Sequence, residues 1–117
     1  ELIYPRMNGR AVFKFAATYM PQAVGEVLDA AGLKLEAIDL LIPHQANLRI
    51  SEVVQKQLGL PDAKVYNNIQ RYGNTTAASI PIALDECRRE GKVKAGDLVC
   101  LAAFGAGFTW ASMVVRW

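Results

Sequence analysis

IDLLIPHQANLRI, at residues 38–50, is the stretch that decides how this chain folds. Residues 38–42, apolar apart from Asp39, have the length of a strand, and from Leu48 to Leu58 the apolar side chains recur at helical spacing. His44 lies between the two segments, where a strand ends and a helix approaches. In open α/β sheets, ligands bind at this carboxyl edge of the strands. The stretch therefore predicts a strand–helix unit that presents His44, the single histidine of the chain, at a ligand-binding edge.

A long amphipathic helix is predicted before this unit. Apolar side chains recur every three or four residues from Val12 to Ala31. Pro21 is expected to kink or split this helix, because proline lacks a backbone donor and clashes with the preceding turn. Gly32 is the expected C-terminal stop. The residues before the helix, 1–10, are expected to form a loop, because proline and glycine interrupt any regular pattern there.

The middle of the chain is predicted to hold a short strand, a loop and a helix. Residues 64–66 have strand character, and the polar residues 67–76 are expected to form an exposed loop. Thr75 or Thr76 is expected to cap the following helix, which Gly91 ends. The apolar face of that helix consists of Ile80, Ala83, Leu84 and Cys87.

The end of the chain is predicted to form two neighbouring strands. Residues 98–104 are a continuous apolar run, the pattern of a strand buried on both faces. Gly105-Ala106-Gly107 interrupts the run, and residues 108–117, rich in β-branched and aromatic side chains, are expected to return antiparallel. The order helix, strand, helix, strand, helix, strand, strand predicts an α/β layer fold with a mixed sheet.

Composition places the chain among globular domains and argues against several partners. Its 117 residues are 52% hydrophobic and 21% charged, with a net charge of +2, so one domain with an apolar core is expected. The charge is small and dispersed, which argues against nucleic acid. There is no apolar stretch of about twenty residues and no secretory signal, which argues against a membrane.

The two cysteines are predicted to be reduced core thiols. Cys87 and Cys100 both lie inside apolar patterns. Together with His44 they lack the paired spacing of a zinc site, so no metal is expected. Neither cysteine has a helix N-terminus or an exposed cation beside it that would lower the pKa of a thiol, so neither is expected to attack a substrate.

Three loops that follow strands are predicted to meet at one edge of the sheet; they carry His44, Asn74 and residues 105–107. An imidazole and a carboxamide held together donate two hydrogen bonds to one oxyanion, and a backbone N–H in a glycine-flanked loop serves a second one. Taken singly, each feature also has a simpler structural explanation: a core histidine, a turn asparagine and a tight hairpin turn.

Three motifs together resemble one known family. IPHQAN at 42–47, YGNTTAASIP at 72–81 and AFGAGFTW at 103–110 are similar to β-ketoacyl-[acyl carrier protein] synthase III, a condensing enzyme of the thiolase-like superfamily. The resemblance covers nearly the whole chain and implies only the C-terminal half of that enzyme. Residues 1–10 would be a loop from the missing N-terminal half, and residues 11–117 the C-terminal domain. The implied fold is a thiolase-like half, with helices layered on a five-stranded-type mixed β-sheet.

The resemblance also implies an activity and its partners. In the family, a cysteine of the N-terminal half is acylated by acetyl-CoA, and malonyl-[acyl carrier protein] is decarboxylated and attacks this thioester. The product, acetoacetyl-[acyl carrier protein], initiates fatty acid biosynthesis. An acyltransferase without a cofactor is therefore implied, acting as a cytoplasmic homodimer on acyl carrier protein and coenzyme A thioesters.

Site residues follow from matching these motifs position by position. His44 and Asn74 match the pair that stabilises the enolate formed on decarboxylation. Ala106 matches the position whose backbone N–H serves the oxyanion hole; many relatives have glycine there, and a backbone donor survives the change. Phe104 matches a phenylalanine beside the catalytic cysteine, although plain core packing also explains an apolar side chain at that position.

Further matches surround the implied substrate tunnel. Gly9 and Asn47 match positions that line the pantetheine tunnel. Three basic side chains match positions that meet the acidic carrier protein: Lys14, Arg49 and Lys56. Arg49 and Lys56 are seven positions apart and share one helical face. Each of these charges alone is explained equally well as a solvated surface residue.

Two alternatives stay open. A related condensing enzyme that uses another acyl primer, in alkylquinolone, polyketide or olefin synthesis, is compatible with the same motifs, because primer specificity depends largely on the missing half. The chain is also compatible with an inactive folding or dimerisation module. By itself it is expected to have no condensing activity, because the nucleophilic cysteine belongs to the other half.

Overall fold

A mixed three-stranded sheet forms the centre of the computed structural model, which describes residues 3–117. Strand β1 (Leu40–Pro43) pairs in parallel with β2 (Leu98–Gly105). Strand β2 pairs antiparallel with β3 (Thr109–Arg116), so that β2 is the central strand. The α/β class, the mixed sheet and the final pair of antiparallel strands are thereby confirmed.

The strand predicted at residues 64–66 is reduced to one parallel bridge, between Val65 and Leu41. A 3₁₀ turn (Asp62–Lys64) precedes the bridge, and Tyr66 donates its N–H to the Leu41 carbonyl before the chain turns away. Residues 3–117 thus form three strands and one bridge, where the family resemblance implied a five-stranded-type sheet.

Helix α1 spans Gly9–Ala30 and so begins inside the loop predicted at residues 1–10. Asn8 caps it, because the Asn8 side chain accepts the N–H of Ala11 at 3.1 Å. Of the rest of that predicted loop, residues 3–7 have no regular secondary structure, and residues 1–2 lie outside the described part of the chain.

Pro21 does not split α1, and the predicted break is wrong. The apolar face continues across the proline, with Met20 and Val24 both buried, so the packing of this face outweighs the loss of one backbone hydrogen bond. The helix ends as predicted at Gly32, which has φ 66° and lets the N–H of Leu33 return to an open carbonyl of the last turn.

Three shorter helices follow: α2 (Leu48–Leu58), α3 (Ile69–Tyr72) and α4 (Ser79–Arg89). Helix α2 is confirmed, whereas α3 lies inside the segment predicted as an exposed loop. Neither Thr75 nor Thr76 caps α4, because the N-cap position is Ala78, which has no side-chain cap. The Thr76 hydroxyl donates to the Thr75 carbonyl instead. Further 3₁₀ turns occupy Leu35–Ala37 and Thr76–Ala78. Within residues 3–117, no helix is both long and apolar enough to cross a membrane.

The sheet is covered on both faces, as the apolar run of β2 predicted. Helices α1 and α2 pack on one face around a cluster that includes Met20, Val24, Leu41, Val54 and Cys100. Helix α4 packs on the other face around a cluster that includes Leu40, Ile42, Ala83, Cys87 and Val99. Alternate residues of β1 and β2 therefore enter opposite clusters, and burial of both clusters drives the fold.

Both thiols lie in these clusters. Cys87 and Cys100 are free and buried, and burial raises the pKa of each thiol to about 12. A thiol in this state is a poor nucleophile near neutral pH, because the reactive thiolate is scarcely populated. The structure thus agrees with their interpretation as core residues.

The outer strand β3 carries apolar side chains that residues 3–117 do not cover. Trp110 is 39% exposed, Met113 is 56% exposed and Val115 is 37% exposed. Exposed apolar groups on one edge strand form a surface suited to contact with further protein.

The turn between β2 and β3 requires glycine at one position. Gly107 has φ 144°, and a Cβ there would lie 3.1 Å from Thr109 Cγ2 and 3.2 Å from the Thr109 backbone nitrogen. A Cβ on Gly105 would meet its nearest atom, Thr109 Oγ1, at 3.8 Å.

We expect Gly107→Ala to lower the free energy of unfolding by about 1–3 kcal/mol, measured by urea denaturation.

The matched control for this turn is Gly105→Ala, which we expect to lower the free energy of unfolding by less than about 1 kcal/mol. An equal decrease in the free energy of unfolding for the two variants, measured in the full-length protein, would contradict the steric explanation.

Candidate functional site

An open cavity of about 920 Å³ lies at the carboxyl ends of β1 and β2. Its wall includes four residues singled out from the sequence: His44, Asn74, Phe104 and Ala106. They come from the loop after β1, the segment before α4, the end of β2 and the β2–β3 turn. The three predicted loops therefore meet at one edge of the sheet.

His44 is held at this edge by the backbone of the neighbouring strand. Its N–H donates to the Ala102 carbonyl at 2.7 Å, which continues the β1–β2 pairing one residue beyond β1. The ring is half-buried, with Nδ1 2.5 Å from the Ser79 hydroxyl oxygen. Burial lowers the pKa of His44 below its usual 6.5, so the ring is predominantly neutral at pH 7.

Asn74 presents its amide with a defined orientation. Its Oδ1 accepts the backbone N–H of Thr76 at 2.9 Å. Because only the oxygen of a carboxamide accepts such a bond, Nδ2 is the donor left for a ligand. Thr76 has φ 54°, a left-handed conformation that is uncommon for a β-branched residue. The turn predicted around Asn74 is present, and it serves to orient this amide.

The β2–β3 turn adds a backbone donor. The Ala106 carbonyl accepts the Thr109 hydroxyl at 3.0 Å. Within residues 3–117, the Ala106 N–H has no hydrogen-bond partner, so it is available to a ligand in the cavity. The peptide bond between Gly107 and Phe108 in the same turn is cis.

Aromatic rings form the apolar wall of the cavity. The Phe104 ring lies 5.1 Å from the Phe108 ring and 6.3 Å from the Trp110 ring, measured between centroids. From α1, Tyr19 stacks on Trp110 at 4.1 Å and Phe15 contacts Phe108 at 5.3 Å. The sequence contained one signal for this cluster, the spacing of Phe15 and Tyr19 by one helical turn, but their partners are distant in the chain.

Buried Gln45 anchors the polar side of the cavity. It is 3% exposed, and its Nε2 donates to the Pro43 carbonyl at 2.7 Å. Its Oε1 accepts the N–H groups of Asn68 at 2.9 Å and Ile69 at 3.1 Å. Gln45 therefore ties the end of β1 to the start of α3. Gln45 lies inside the motif around His44. Its bonds to residues more than twenty positions away could not be predicted from the sequence.

The two matched tunnel positions lie beside the cavity rather than in its wall. Asn8 and Ala46 line the cavity, and their neighbours Gly9 and Asn47 do not. The Asn47 side chain is occupied as the cap of α2, where it accepts the N–H of Arg49 at 2.9 Å. This capping role is absent from the sequence-based interpretation.

The three matched basic residues are exposed but dispersed. Lys14 lies near the start of α1, and Arg49 lies in the first turn of α2. Lys56 lies in the last turn of α2, about 10 Å further along the helix, beside a small pocket lined by Glu52 and Asp62. Within residues 3–117, none of the three forms an ion pair.

Chemically, the arrangement can stabilise negative charge on oxygen. The ring of His44, the amide of Asn74 and the N–H of Ala106 supply neutral donors around an apolar cavity, where hydrogen bonds to a developing oxyanion are strong. In the described residues, no group of three or more His, Cys, Asp or Glu side chains could hold a metal ion. The buried thiols do not line the cavity, so the site has donors without a cysteine nucleophile.

Comparison with known proteins supports one family. The family model described as 3-Oxoacyl-[acyl-carrier-protein (ACP)] synthase III C terminal matches residues 28–117. The beta-ketoacyl-[acyl-carrier-protein] synthase III of Caldanaerobacter subterraneus subsp. tengcongensis is 56% identical over 111 residues, which are 95% of this chain and 34% of that protein.

Solved structures agree with this match. The crystal structure of 3-oxoacyl-[acyl-carrier-protein] synthase III from Aquifex aeolicus VF5 superposes with a TM-score of 0.95 at 52% identity, over 97% of this chain and 37% of that one. The priming beta-ketosynthase from the R1128 polyketide biosynthetic pathway superposes with a TM-score of 0.87 at 37% identity, over 94% of this chain and 33% of that one. These structures bear out the thiolase-like α/β fold.

The chain spans about a third of the length of the relatives it matches. The matched region of the family is its C-terminal part, in agreement with the family resemblance of the three motifs. This chain therefore belongs to the 3-oxoacyl-[acyl-carrier-protein] synthase III family and corresponds to its C-terminal part.

Proposed function

We propose that this chain is the C-terminal catalytic part of a β-ketoacyl-[acyl carrier protein] synthase III. The complete enzyme condenses acetyl-CoA with malonyl-[acyl carrier protein] to acetoacetyl-[acyl carrier protein] and so initiates fatty acid biosynthesis. The observation that carries the proposal is the convergence of His44, Asn74 and the free Ala106 N–H on one apolar-walled cavity. Residues 11–117 form the catalytic domain in this proposal, and the preceding residues connect it to the N-terminal half.

Decarboxylation is the step assigned to the two side-chain donors. The bond between the malonyl carboxylate and the methylene carbon breaks, carbon dioxide leaves, and the electron pair moves onto the thioester oxygen as an enolate. His44 and Asn74 each donate one hydrogen bond to that oxygen, and they do so more strongly as its charge grows. Because both donors are neutral, they stabilise the enolate without protonating it to a stable product.

Condensation is the step assigned to the backbone donor. The enolate carbon attacks the carbonyl of an acetyl group held on a cysteine of the N-terminal half. The carbonyl oxygen becomes an oxyanion that accepts the Ala106 N–H, and collapse of this intermediate expels the cysteine thiolate. Phe104, 7% exposed, belongs to the apolar wall that keeps water from the enolate and the thioester.

Substrate delivery is assigned to the ends of α1 and α2 nearest the cavity. Gly9 and Asn47 flank the lining residues Asn8 and Ala46, which supports a pantetheine path between the two helices. Exposed Lys14 and Arg49 lie near the same ends, which supports docking of an acidic acyl carrier protein there. Lys56 joins this surface only if the carrier protein contacts the full length of α2.

The remaining parts of the proposal concern assembly. The exposed apolar side chains of β3 support contact with the N-terminal half of the enzyme. A homodimer and a cytoplasmic location are supported by the family resemblance alone.

An enzyme with another acyl primer is the second candidate function. The likeness to a priming ketosynthase of a polyketide pathway favours it, at 37% identity. Identity of 52–56% to synthases III favours the fatty acid reaction. The rates with acetyl-CoA and with longer acyl-CoA primers, measured on the full-length protein, distinguish the two candidates. A third candidate, an inactive folding or dimerisation module, requires that no polypeptide with the nucleophilic cysteine accompanies the chain.

Removing either side-chain donor tests the central step. In the full-length protein, we expect His44→Ala and Asn74→Ala each to lower the rate of malonyl-[acyl carrier protein] decarboxylation by about a hundredfold or more, because a donor to the enolate is lost. The measurement is release of labelled carbon dioxide.

Gln57→Ala, an exposed polar residue of α2, is the control for these variants and should retain full decarboxylase activity. A His44→Ala variant that decarboxylates at the normal rate would overturn the role given to His44.

Charge reversal tests carrier protein docking. We expect Arg49→Glu to lower kcat/KM for malonyl-[acyl carrier protein] by roughly threefold to tenfold at low salt, and less at high salt, because repulsion slows the encounter. With malonyl-CoA in place of the carrier protein thioester, the effect should disappear. Lys34→Glu, exposed beyond the other end of α1, is the matched control. An equal loss in both variants would argue against docking at this end of α2.

A further inference from the structure

Ser79 is the first residue of α4 and makes two contacts that converge on its hydroxyl oxygen. The oxygen lies 2.5 Å from Nδ1 of His44 and 3.2 Å from the backbone nitrogen of Gln45. Ser79 is only 2% exposed. Ser79 also lines the cavity, but its hydroxyl oxygen is already in contact with the histidine ring and with the backbone that follows it.

The direction of the hydrogen bonds follows from counting protons. A backbone N–H can only donate, so Gln45 donates to the Ser79 oxygen. If Nδ1 of His44 also donated, the Ser79 proton would have no acceptor within residues 3–117, and a buried donor without a partner is destabilising. If the Ser79 hydroxyl donates to Nδ1, both groups are satisfied. This direction requires a lone pair on Nδ1.

We propose that Ser79 is a positioning residue that fixes His44 as the neutral tautomer with its proton on Nε2. Nε2 has no hydrogen-bond partner within residues 3–117, so it is the ring atom left to face a ligand. The proposal deepens the function proposed above and rests on it, since it names how the ring becomes a donor to the enolate oxygen. Without Ser79, the proton is free to occupy Nδ1, and Nε2 then offers a lone pair that repels the enolate.

In this proposal, Gln45 also helps to position the His44 ring. The buried side chain of Gln45 is held by the Pro43 carbonyl and by the N–H groups of Asn68 and Ile69. Its backbone N–H is thereby fixed, and this N–H occupies one of the two lone pairs of the Ser79 oxygen, which orients the hydroxyl beside the ring. Gln45 thus orients the Ser79 hydroxyl, and Ser79 orients the His44 ring. Only His44 contacts the substrate.

The experiment is nitrogen NMR of the histidine rings in the full-length protein labelled with ¹⁵N-histidine, with the His44 signals assigned by their loss in His44→Gln. At pH 7.5 the wild type should show a protonated Nε2 and an unprotonated Nδ1. In Ser79→Ala the two signals should move towards each other, because both tautomers become populated. A wild-type ring with its proton on Nδ1, or unchanged signals in Ser79→Ala, would overturn the proposal.

Kinetics give a second readout that a purely structural role would not produce. We expect Ser79→Ala to lower kcat for decarboxylation by about tenfold to a hundredfold with KM changed less than about threefold, because binding is kept and the donor is lost. Ser79→Thr, which retains the hydroxyl, should recover much of the rate. Ser112→Ala, which removes a hydroxyl outside the cavity wall, is the matched control and should not change kcat.

The outcomes separate this proposal from the function on which it rests. If the wild type lacks decarboxylase activity, the proposed function fails, and the tautomer measured by NMR still decides the role of Ser79. If Ser79→Ala does not fold, the wild-type tautomer and the rate of Ser79→Thr decide it. Ser79→Thr keeps the hydroxyl. If it folds and its His44 ring has the same tautomer as in the wild type, but it is as slow as His44→Ala, the hydroxyl is not the group that determines the rate.

Discussion

The parallel pairing of β1 with β2 is the constraint on which the rest of the structure depends. Its register places Leu41 opposite Cys100 and Pro43 opposite Ala102, and the N–H of His44 extends it by one more bond. Because both strands are buried on both faces, a shift of one residue would turn each apolar side chain to the wrong cluster. The register therefore fixes where both strands end. It follows that the loop with His44 and the turn with Ala106 open at the same edge.

The segment from Asn74 to Ser79, which leads into α4, completes the site by orienting side chains. Thr76 holds the amide of Asn74 through a backbone bond, and Ser79 contacts the ring of His44. Residues within six positions of one another thus orient donors that come from two different parts of the fold. The left-handed conformation of Thr76 is understandable in this setting, since it directs the N–H towards Asn74.

Much of the fold could be predicted because it depends on local patterns. Helix α2, strand β2 and the stop at Gly32 each follow from apolar periodicity or from a residue suited to a positive φ. Pro21 misled the prediction because the energy of packing along α1 outweighs a local preference. Helix α3 and the single bridge at residues 64–66 involve contacts with Gln45 and Leu41, which are distant in sequence.

In the candidate site, too, local patterns could be predicted and contacts between distant residues could not. His44, Asn74 and Ala106 could be selected because they lie in recognisable motifs that follow strands. Their orientation could not, because the contact of His44 with Ser79 joins residues 35 positions apart. Asn47 could not be assigned from its motif alone, since its side chain is committed to capping α2. Position in a motif thus predicted which residues meet, and the hydrogen bonds determine what each of them can do.

The most direct test of this account is a crystal structure of the full-length protein with a malonyl thioester analogue that cannot lose its carboxylate. The account predicts that the thioester oxygen lies within about 3.2 Å of both Nε2 of His44 and Nδ2 of Asn74. A thioester bound outside the cavity, or one whose oxygen contacts neither nitrogen, would contradict the claim that these two side chains form the enolate site.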